Sequence, residues 1–459
     1  MLVYMLKILE VSTSWGLGGA EQAIEVRARG LHELGFDVIV ASVNAKGPRL
    51  ERLKSAGVRV ISITNVESGL LELLNFEKPD VVSYSRSHRL CHYSKNVLEA
   101  CRRATVPAVV ETNIFGRPFG LPSERYPDFI AHVSLTSMLR FVRLSGTTMR
   151  AARAAGHAAV SPLMPSILST QSATTDRQQF RRQLGVSDNE ILVCRVGRPD
   201  LRKWSELLEA ALPHIFARVP NLRFAFLAAP ESKIAKLRRS FGLKIITLAP
   251  TSDRIYLSDF YAACDFMVHS SAIGESYGLS MAEAMLRGLP VVVDSTPKMD
   301  NAQIELVVSD ETGFVVQSID GFVDCVERLA RQHDLRTKMS AASRTRAELR
   351  YSEPVVLRQW LAAFVEALQR ASHPNLPKQL LDILPGMRIP ADDEYNDFEA
   401  TYSNLCKNVH GRPPSLDERA LLSFRSGLKN FAYARNVGLS SVASIALSRI
   451  RSGRWLHRD

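Results

Sequence analysis

Short apolar runs alternate with amphipathic stretches through most of the first 370 residues. "LKILEVS", "DVIVASV" and "VRVISI" are typical of buried strands, whereas "EQAIEVRARGLHELG" repeats its apolar residues with a helical period and ends at Gly35. The rhythm restarts at "EILVCRVGR" and continues through "LRFAFLAAP", "FMVHSS" and "PVVVDS". Because helices separate the apolar strands, the pattern predicts α/β structure in two doubly wound domains, with parallel sheets covered on both faces.

Breaks in this rhythm set the expected domain boundaries. We expect an N-terminal domain over residues 1–165 and a second domain over 175–350, joined by "SPLMPSILSTQSATT", whose Pro, Ser and Thr content is typical of a linker. A helix is expected over residues 351–372. Residues 373–459 are predicted to form an appended basic helical extension, in which "SLDE" has the spacing of a capping box.

The composition is that of an ordinary globular protein, with 46% apolar and 23% charged residues, which excludes wholesale disorder. Six scattered cysteines form no CxxC pair, so the usual zinc and redox motifs are excluded. No apolar run approaches the ~18–20 residues of a membrane span. "MLVYMLKILEVSTSWG" is interpreted as a first buried strand rather than a signal peptide, because Lys7 interrupts it and no small-residue cleavage site follows. We therefore expect a soluble, cytoplasmic protein.

The net charge of +11 indicates acidic partners such as nucleotide phosphates or anionic lipid. Much of this positive charge lies in residues 401–459, which contain ten Lys or Arg and three Asp or Glu. No aromatic-interleaved basic stripe or known module supports nucleic-acid binding there, so nucleic acid is not expected as a partner. Arg140, Arg143, Arg150 and Arg153 form either a basic face for anionic lipid or a solvated helix face.

Two segments have the character of anion sites. Gly16, Gly18 and Gly19 lie between a strand and a helix, where backbone amides favour an anion, although a tight βα turn would use the same residues. Their spacing is not GxGxxG, so a nicotinamide fingerprint is not supported. In "VGRPDLRKW", Arg198 and Lys203 follow the end of a strand, a position that suits a diphosphate or, alternatively, a solvated basic loop.

"IGESYGLSMAEAMLRGLPVVV" carries Glu275 and Glu283, eight positions apart. On one helix they would lie about 12 Å apart, too far for the roughly 5–9.5 Å of a glycosidase pair but suitable for two ends of an extended ligand. A metal site lacks further ligands, since His269 is the single candidate nearby. Glu283 stands among apolar residues, and a buried carboxylate needs a partner, for which ribose hydroxyls are attractive. The remaining alternative is a capping acid followed by an ordinary helix acid.

Four segments in order resemble the retaining GT-B glycosyltransferases of family 4, the glycosyl transferases group 1. Glu275, Glu283 and the following "AMLRGLPVV" resemble the nucleotide-sugar signature of that family. "GGAE" at 18–21 resembles its glycine loop, "GRPDLRK" at 197–203 its diphosphate segment, and "FYAACDFMVHSS" the strand before its acidic motif. The resemblance implies two Rossmann-like domains facing a cleft, and a last helix that crosses back to the N-terminal domain.

The resemblance also implies a site, carried over by position. The implied donor-binding residues are Gly18, Gly19, Arg198, Lys203, Glu275, Tyr277, Gly278, Leu279 and Glu283. Arg198 and Lys203 would hold the diphosphate, Glu275 would face the donor sugar and Glu283 the ribose, which makes Glu275, Arg198 and Lys203 the implied catalytic residues. Backbone amides at 277–279 would meet the phosphates. No metal and no cofactor besides the nucleotide sugar itself are required, and retention would follow from front-face attack.

The sequence departs from the family pattern on the acceptor side. Asn113 stands about where many members have a histidine, and His88 or His132 are the nearby candidates for that role. Trp204 replaces the glycine that usually follows the lysine, and Glu305 is the candidate for the family's later acid. These differences leave the acceptor and the donor base open.

The expected function is therefore a retaining transfer of sugar from a UDP- or GDP-sugar to a glycan or lipid-linked acceptor. Surface polysaccharide or glycoconjugate biosynthesis is the expected setting, with association at the inner face of the cytoplasmic membrane through basic residues. The alternative is a catalytically degenerate homologue that acts as a nucleotide-sugar-binding partner subunit.

Overall fold

A computed structural model describes residues 5–12, 15–16, 18–43, 47–86, 91–118, 127–162, 175–296 and 299–372, apart from the side chains of residues 91 and 92. Within these ranges the chain forms two parallel sheets flanked by helices. The predicted C-terminal helical extension and the acceptor-side candidate His88 lie outside the described residues.

The first sheet has the strand order β3-β2-β1-β4-β5-β6-β7. Its strands are β1 (Lys7–Ser12), β2 (Asp37–Ser42), β3 (Arg59–Ser62), β4 (Val81–Arg86), β5 (Ala108–Asn113), β6 (Phe129–His132) and β7 (His157–Ala159). The helices between them are α1 (Gly19–Glu33), α2 (Pro48–Ser55), α3 (Gly69–Glu77), α4 (Cys91–Arg103), α5 (Leu135–Ser145) and α6 (Met149–Ala154).

The second sheet has the order β10-β9-β8-β11-β12-β13. Its strands are β8 (Ile191–Val196), β9 (Leu222–Leu227), β10 (Ile245–Leu248), β11 (Phe266–His269), β12 (Val291–Asp294) and β13 (Gly313–Val316). The helices of this half are α7 (Arg177–Gln183), α8 (Glu206–Arg218), α9 (Glu231–Phe241), α10 (Arg254–Ala263), α11 (Leu279–Leu286), α12 (Gln303–Leu306), α13 (Ile319–Arg331), α14 (His333–Tyr351) and α15 (Glu353–Arg370).

Both faces of each sheet are buried, which explains the continuous apolar runs. In β1, Ile8 packs in the core that includes α1 and α15, whereas Leu9 and Val11 face the core formed with α3 and α4. In β8, Val193 and Cys194 likewise belong to cores on opposite faces. Successive strand residues point to opposite faces, so a strand covered on both sides is apolar at most of its positions. The α/β prediction with two doubly wound domains is confirmed.

Helix α15 returns to the first sheet and packs beside β5, β6 and α1. Trp360 donates from Nε1 to the backbone oxygen of Ser161 at 3.0 Å, and the Arg27 guanidinium lies 3.9 Å from the centre of the Trp360 ring. Arg27 in turn pairs with Glu10 at 2.6 Å, with both side chains buried. This ion pair and ring contact hold the last described helix against the N-terminal domain.

The four arginines considered for a basic face do not lie on one helix, because Gly146 ends α5 in the left-handed conformation and α6 begins afterwards. Arg140 instead pairs with Asp300 of the second domain, and Arg153 donates to the backbone oxygen of His157 at 2.6 Å. The four therefore do not form one solvent-exposed surface. No helix in the described part of the chain has the length and apolar character needed to cross a membrane.

Candidate functional site

The two glutamates of the acidic motif lie in different local structures. Glu275 lies in the loop before α11, whereas Glu283 lies within that helix. Gly278 has a φ of 104° and turns the chain into α11; a Cβ at this position would overlap Met281 Cε. Glycine is therefore needed at this turn. The two carboxylates do not share one helix, so the separation expected from helical rise does not apply.

The Glu275 carboxylate is held on both oxygens. Oε2 accepts from Lys203 Nζ at 2.8 Å, and Oε1 lies 3.0 Å from His269 Nε2 at the end of β11. Its backbone is fixed as well, because Glu275 N donates to Gln303 Oε1 at 3.2 Å and Glu275 O accepts from Ala302 N at 2.8 Å. The position and orientation of this carboxylate are therefore set before any ligand binds.

Burial and neighbouring charges determine the protonation states of Glu275 and His269. Burial opposes ionisation of Glu275, but the Lys203 cation and the His269 hydrogen bond outweigh it and hold the pKa of this carboxyl below its usual range. Burial and the nearby Arg195 cation lower the pKa of His269 to about 4. At neutral pH a neutral imidazole therefore donates Nε2–H to an ionised Glu275.

Lys203 and Arg198 come from the loop after β8. Lys203 ends a 3₁₀ turn that Asp200 caps, and its Nζ also donates to the backbone oxygen of Gly274 at 3.1 Å. Arg198 is exposed, and among the described residues its guanidinium interacts with Asp200 through its charge, without a hydrogen bond or ion pair. Its backbone oxygen accepts from Trp204 Nε1 at 2.7 Å. One cation is thus engaged by Glu275, and the other is available to an anion.

Glu283 is buried and bonded across the cleft. Tyr261 OH donates to Oε2 at 3.0 Å, and Gln22 Nε2 of α1 donates to Oε1 at 3.1 Å. Burial raises the pKa of Glu283. The partner that a buried carboxylate requires is therefore supplied by protein groups in this structure, and a ribose would have to displace Gln22.

The glycine loop and the start of α11 meet across the cleft. Gly18 precedes α1 as its N-cap, and a Cβ at Gly19 would overlap Leu279 Cδ1. A side chain at Gly19 would therefore have to push the Leu279 side chain aside at this contact between the domains. Tyr277 turns its side chain into the core, where its ring meets Tyr351 edge-on at 5.9 Å, so its backbone is the part left for a ligand.

A buried carboxylate joins the domains further along α1. Glu25 accepts from Arg49 and Arg52 of the N-terminal domain and from Arg254 of the second domain, each at 2.7 Å. Burial opposes ionisation of Glu25, but the hydrogen bonds and charges of the three arginines outweigh it and lower its pKa. The contacts of Gln22 and Glu25 show that one face of α1 bridges to the second domain.

The acceptor-side candidates differ in their surroundings. Asn113 ends β5, is buried, and its Nδ2 has no hydrogen-bond partner among the described residues. His132 ends β6, is fully buried, and contacts His157 Nδ1 through Nε2 at 3.1 Å, and burial lowers its pKa. These contacts place His132 within the core, whereas Asn113 retains an unused donor at the end of its strand.

Sequence reasoning missed His269 as a partner of Glu275, Gln22 as a partner of Glu283, and Arg195 altogether. His269 was weighed there as a metal ligand, but the described residues contain no group of three or more His, Cys, Asp or Glu arranged to hold a metal ion. An arginine inside the apolar run "ILVCRV" was the one visible signal for Arg195.

Residues 190–332 match the family model of glycosyl transferases group 1. A D-inositol 3-phosphate glycosyltransferase of Kribbella flavida is 29% identical over 186 residues, 37% of this chain and 42% of the relative. A second, from Rhodococcus erythropolis, is 31% identical over 152 residues, 31% of this chain and 33% of the relative. The matches thus span less than half the length of these two curated relatives, and they support the resemblance to the glycosyl transferases group 1.

Solved structures match over a larger part of the chain. Anabaena Alr3699/HepE in complex with UDP and glucose has a TM-score of 0.65 at 17% identity, covering 78% of this chain and 99% of that one. A glycosyltransferase from Rickettsia africae has a TM-score of 0.67 at 16% identity, covering 80% and 99%. At this identity the likeness shows the fold alone, and the two-domain GT-B architecture is confirmed.

Proposed function

We propose that this protein is a glycosyltransferase that takes its sugar from a UDP- or GDP-sugar. The chain has the GT-B fold, and its residues 190–332 match the glycosyl transferases group 1. The acceptor would be a glycan or lipid-linked molecule in surface polysaccharide or glycoconjugate biosynthesis, and transfer would retain the anomeric configuration without a metal. The observation that carries this proposal is the ionised Glu275, fixed between Lys203 and His269 at the carboxyl end of the second sheet.

Donor binding would exchange the partners of Lys203. Lys203 Nζ lies 2.8 Å from Glu275 Oε2, and a diphosphate carries more charge with which to attract it. When Nζ turns to the diphosphate, Oε2 becomes free to accept from a hydroxyl of the donor sugar. His269 would keep Oε1 in place during this exchange.

Leaving-group stabilisation would be electrostatic. As the bond between the anomeric carbon and the diphosphate oxygen breaks, negative charge grows on the diphosphate near Arg198 and Lys203. The acceptor oxygen forms its bond to the same face of the anomeric carbon and gives its proton to the departing phosphate oxygen. Cations that donor binding has already brought to the diphosphate need no further rearrangement during this step, and they lower its barrier.

The remaining donor contacts are proposed by position. Glu283 would accept from the ribose hydroxyls after Gln22 withdraws, and amides at 277–279 with Gly18 and Gly19 would line the phosphates. Asn113 is the proposed acceptor-side residue, because its Nδ2 is buried without a partner among the described residues. Basic surface residues remain the proposed contact with an anionic membrane surface at the cytoplasmic side.

The test combines nucleotide binding with turnover. Titration calorimetry with UDP and GDP, followed by assays with a panel of their sugars, should give binding of one nucleotide and transfer of one sugar. Glu275→Gln and Lys203→Ala should each lose most of the transfer activity. Glu190→Gln, which alters an ion pair with Arg223 in the same domain, is the matched control and should stay active. Nucleotide binding without transfer in any assay would favour the degenerate partner subunit instead.

A further inference from the structure

Arg195 is a buried cation inside the apolar strand β8. Its side chain is 0% exposed, and among the described residues carboxylates act on it through their charge alone, without an ion pair. Burial lowers the pKa of Arg195 to about 10, partly offset by the more distant charges of Glu275 and Asp294. The guanidinium therefore remains charged at neutral pH. A buried charge is costly unless its hydrogen bonds are satisfied, so its contacts indicate what it is for.

The loop of residues 197–204 closes around this guanidinium. Arg195 donates to the backbone oxygens of Val196, of Lys203 at 2.6 Å and of Ser270 at 3.1 Å. The Trp204 ring covers it, with its centre 4.5 Å from Arg195 Cζ. A Cβ at Gly197 would stand 3.0 Å from Arg195 Nη1, so the loop also passes close by on that side.

This loop carries both cations proposed for the diphosphate. The backbone of Lys203 is held directly by Arg195, while its Nζ reaches Glu275 at 2.8 Å. Arg198 is held through Trp204, whose Nε1 donates to the Arg198 backbone oxygen at 2.7 Å. Ser270, the third acceptor, directly follows His269, the other partner of Glu275. One buried side chain therefore ties together the backbone around both cations and the Glu275 contact.

We propose that Arg195 is a positioning residue that fixes the 197–204 loop so that Arg198 and Lys203 are preorganised for the leaving diphosphate. The proposal rests on the glycosyltransferase function proposed above. Arg195 itself is sealed behind the loop and does not touch the donor. Its effect should appear mainly in kcat, because the charge on the leaving diphosphate is largest in the transition state.

Steady-state kinetics with the transferred nucleotide sugar, on variants checked for folding by circular dichroism and thermal melting, test the proposal. Arg195→Met keeps much of the length but donates no hydrogen bond, and a misplacement of about 1 Å should lower kcat about a hundredfold. Arg195→Lys keeps the charge with fewer donors and should lower kcat about tenfold, a partial rescue. KM for the donor should change by less than about fivefold in both.

The matched control is Arg223→Met on the neighbouring strand β9. Arg223 pairs with Glu190 at 3.2 Å and does not contact the 197–204 loop, so this variant should keep kcat within about twofold of the wild type. If Arg195→Met does not fold, Arg195→Lys decides the question alone. Folded Arg195 variants with kcat within about twofold of the wild type would overturn the proposal.

An increase in donor KM as large as the fall in kcat would also overturn it, since that result marks a general loss of the donor site. Failure of the proposed function has a different signature. Wild-type protein that transfers no sugar from any donor would contradict the glycosyltransferase function, and this inference would lose its premise with it. Active wild-type protein with unimpaired Arg195 variants overturns this inference alone.

Discussion

Replacing Gln22 with alanine should tighten nucleotide binding. Gln22 is half-buried on α1, and its side chain donates to Glu283 Oε1 at 3.1 Å from the opposite side of the cleft. In the proposed complex the ribose hydroxyls need that oxygen, so Gln22 and the nucleotide compete for one acceptor. Removing the protein donor removes the competitor, whereas Tyr261 still satisfies Oε2.

The size of the effect follows from the hydrogen bond that is lost. A typical intramolecular hydrogen bond contributes about 0.5–1.5 kcal/mol net. Because Gln22 is only half-buried, water can replace part of the contact in the variant, and a value of about 1 kcal/mol is reasonable. That energy corresponds to about a fivefold lower Kd for the bound nucleotide.

Titration calorimetry with UDP and with GDP measures the change directly. Gln179→Ala, on the exposed surface of α7, is the matched control and should leave Kd unchanged. A Kd for Gln22→Ala that is unchanged or higher than that of the wild type would refute the reasoning. Either result would mean that Glu283 Oε1 is not a nucleotide contact or that Gln22 remains bonded to it in the complex.

Three further predictions concern the two motif glutamates, the Arg27–Glu10 pair and Glu305. Glu275→Gln should mainly lower kcat, whereas Glu283→Gln should mainly weaken nucleotide binding; kinetics and calorimetry separate the two. Arg27→Met breaks the buried pair with Glu10 and should lower the unfolding free energy by about 3–5 kcal/mol in denaturant titrations. Burial raises the pKa of Glu305 from 4.5 to about 7, so its contribution to stability is full below 4.5 and is lost as pH rises through about 7. As pH rises from 4.5 to about 7, Glu305→Gln should therefore gain unfolding free energy relative to the wild type. A difference in unfolding free energy that stays constant with pH would contradict the raised pKa.

The strands, helices and two-domain architecture could be predicted from the sequence. Apolar residues dominate β1, β8 and β12 because both faces of each sheet are covered, and this constraint appears in each of these strands separately. The motif residues Lys203, Glu275 and Glu283 were likewise found from local spacing and from their resemblance to a family.

The sequence alone could not pair those residues. His269 stands only six positions before Glu275, yet the loop between them had to fold back before Nε2 could reach the carboxylate. Gln22 and Glu283 are 261 positions apart, and nothing in either local pattern indicates the other. In the sequence, Arg195 is one polar residue within an apolar strand. Its role depends on contacts with the loop that closes around it, and the sequence does not show those contacts.

The sequence by itself determined which segments are strands and helices, because the buried positions of each segment are the apolar positions in its sequence. The tertiary structure decided which partner each charged group has. Glu275 is ionised because Lys203 and His269 meet it, and Glu283 is closed off because α1 of the other domain lies against it. Hydrogen bonds and charges act through distances in space, and parallel sheets bring together at one edge residues that are far apart along the chain.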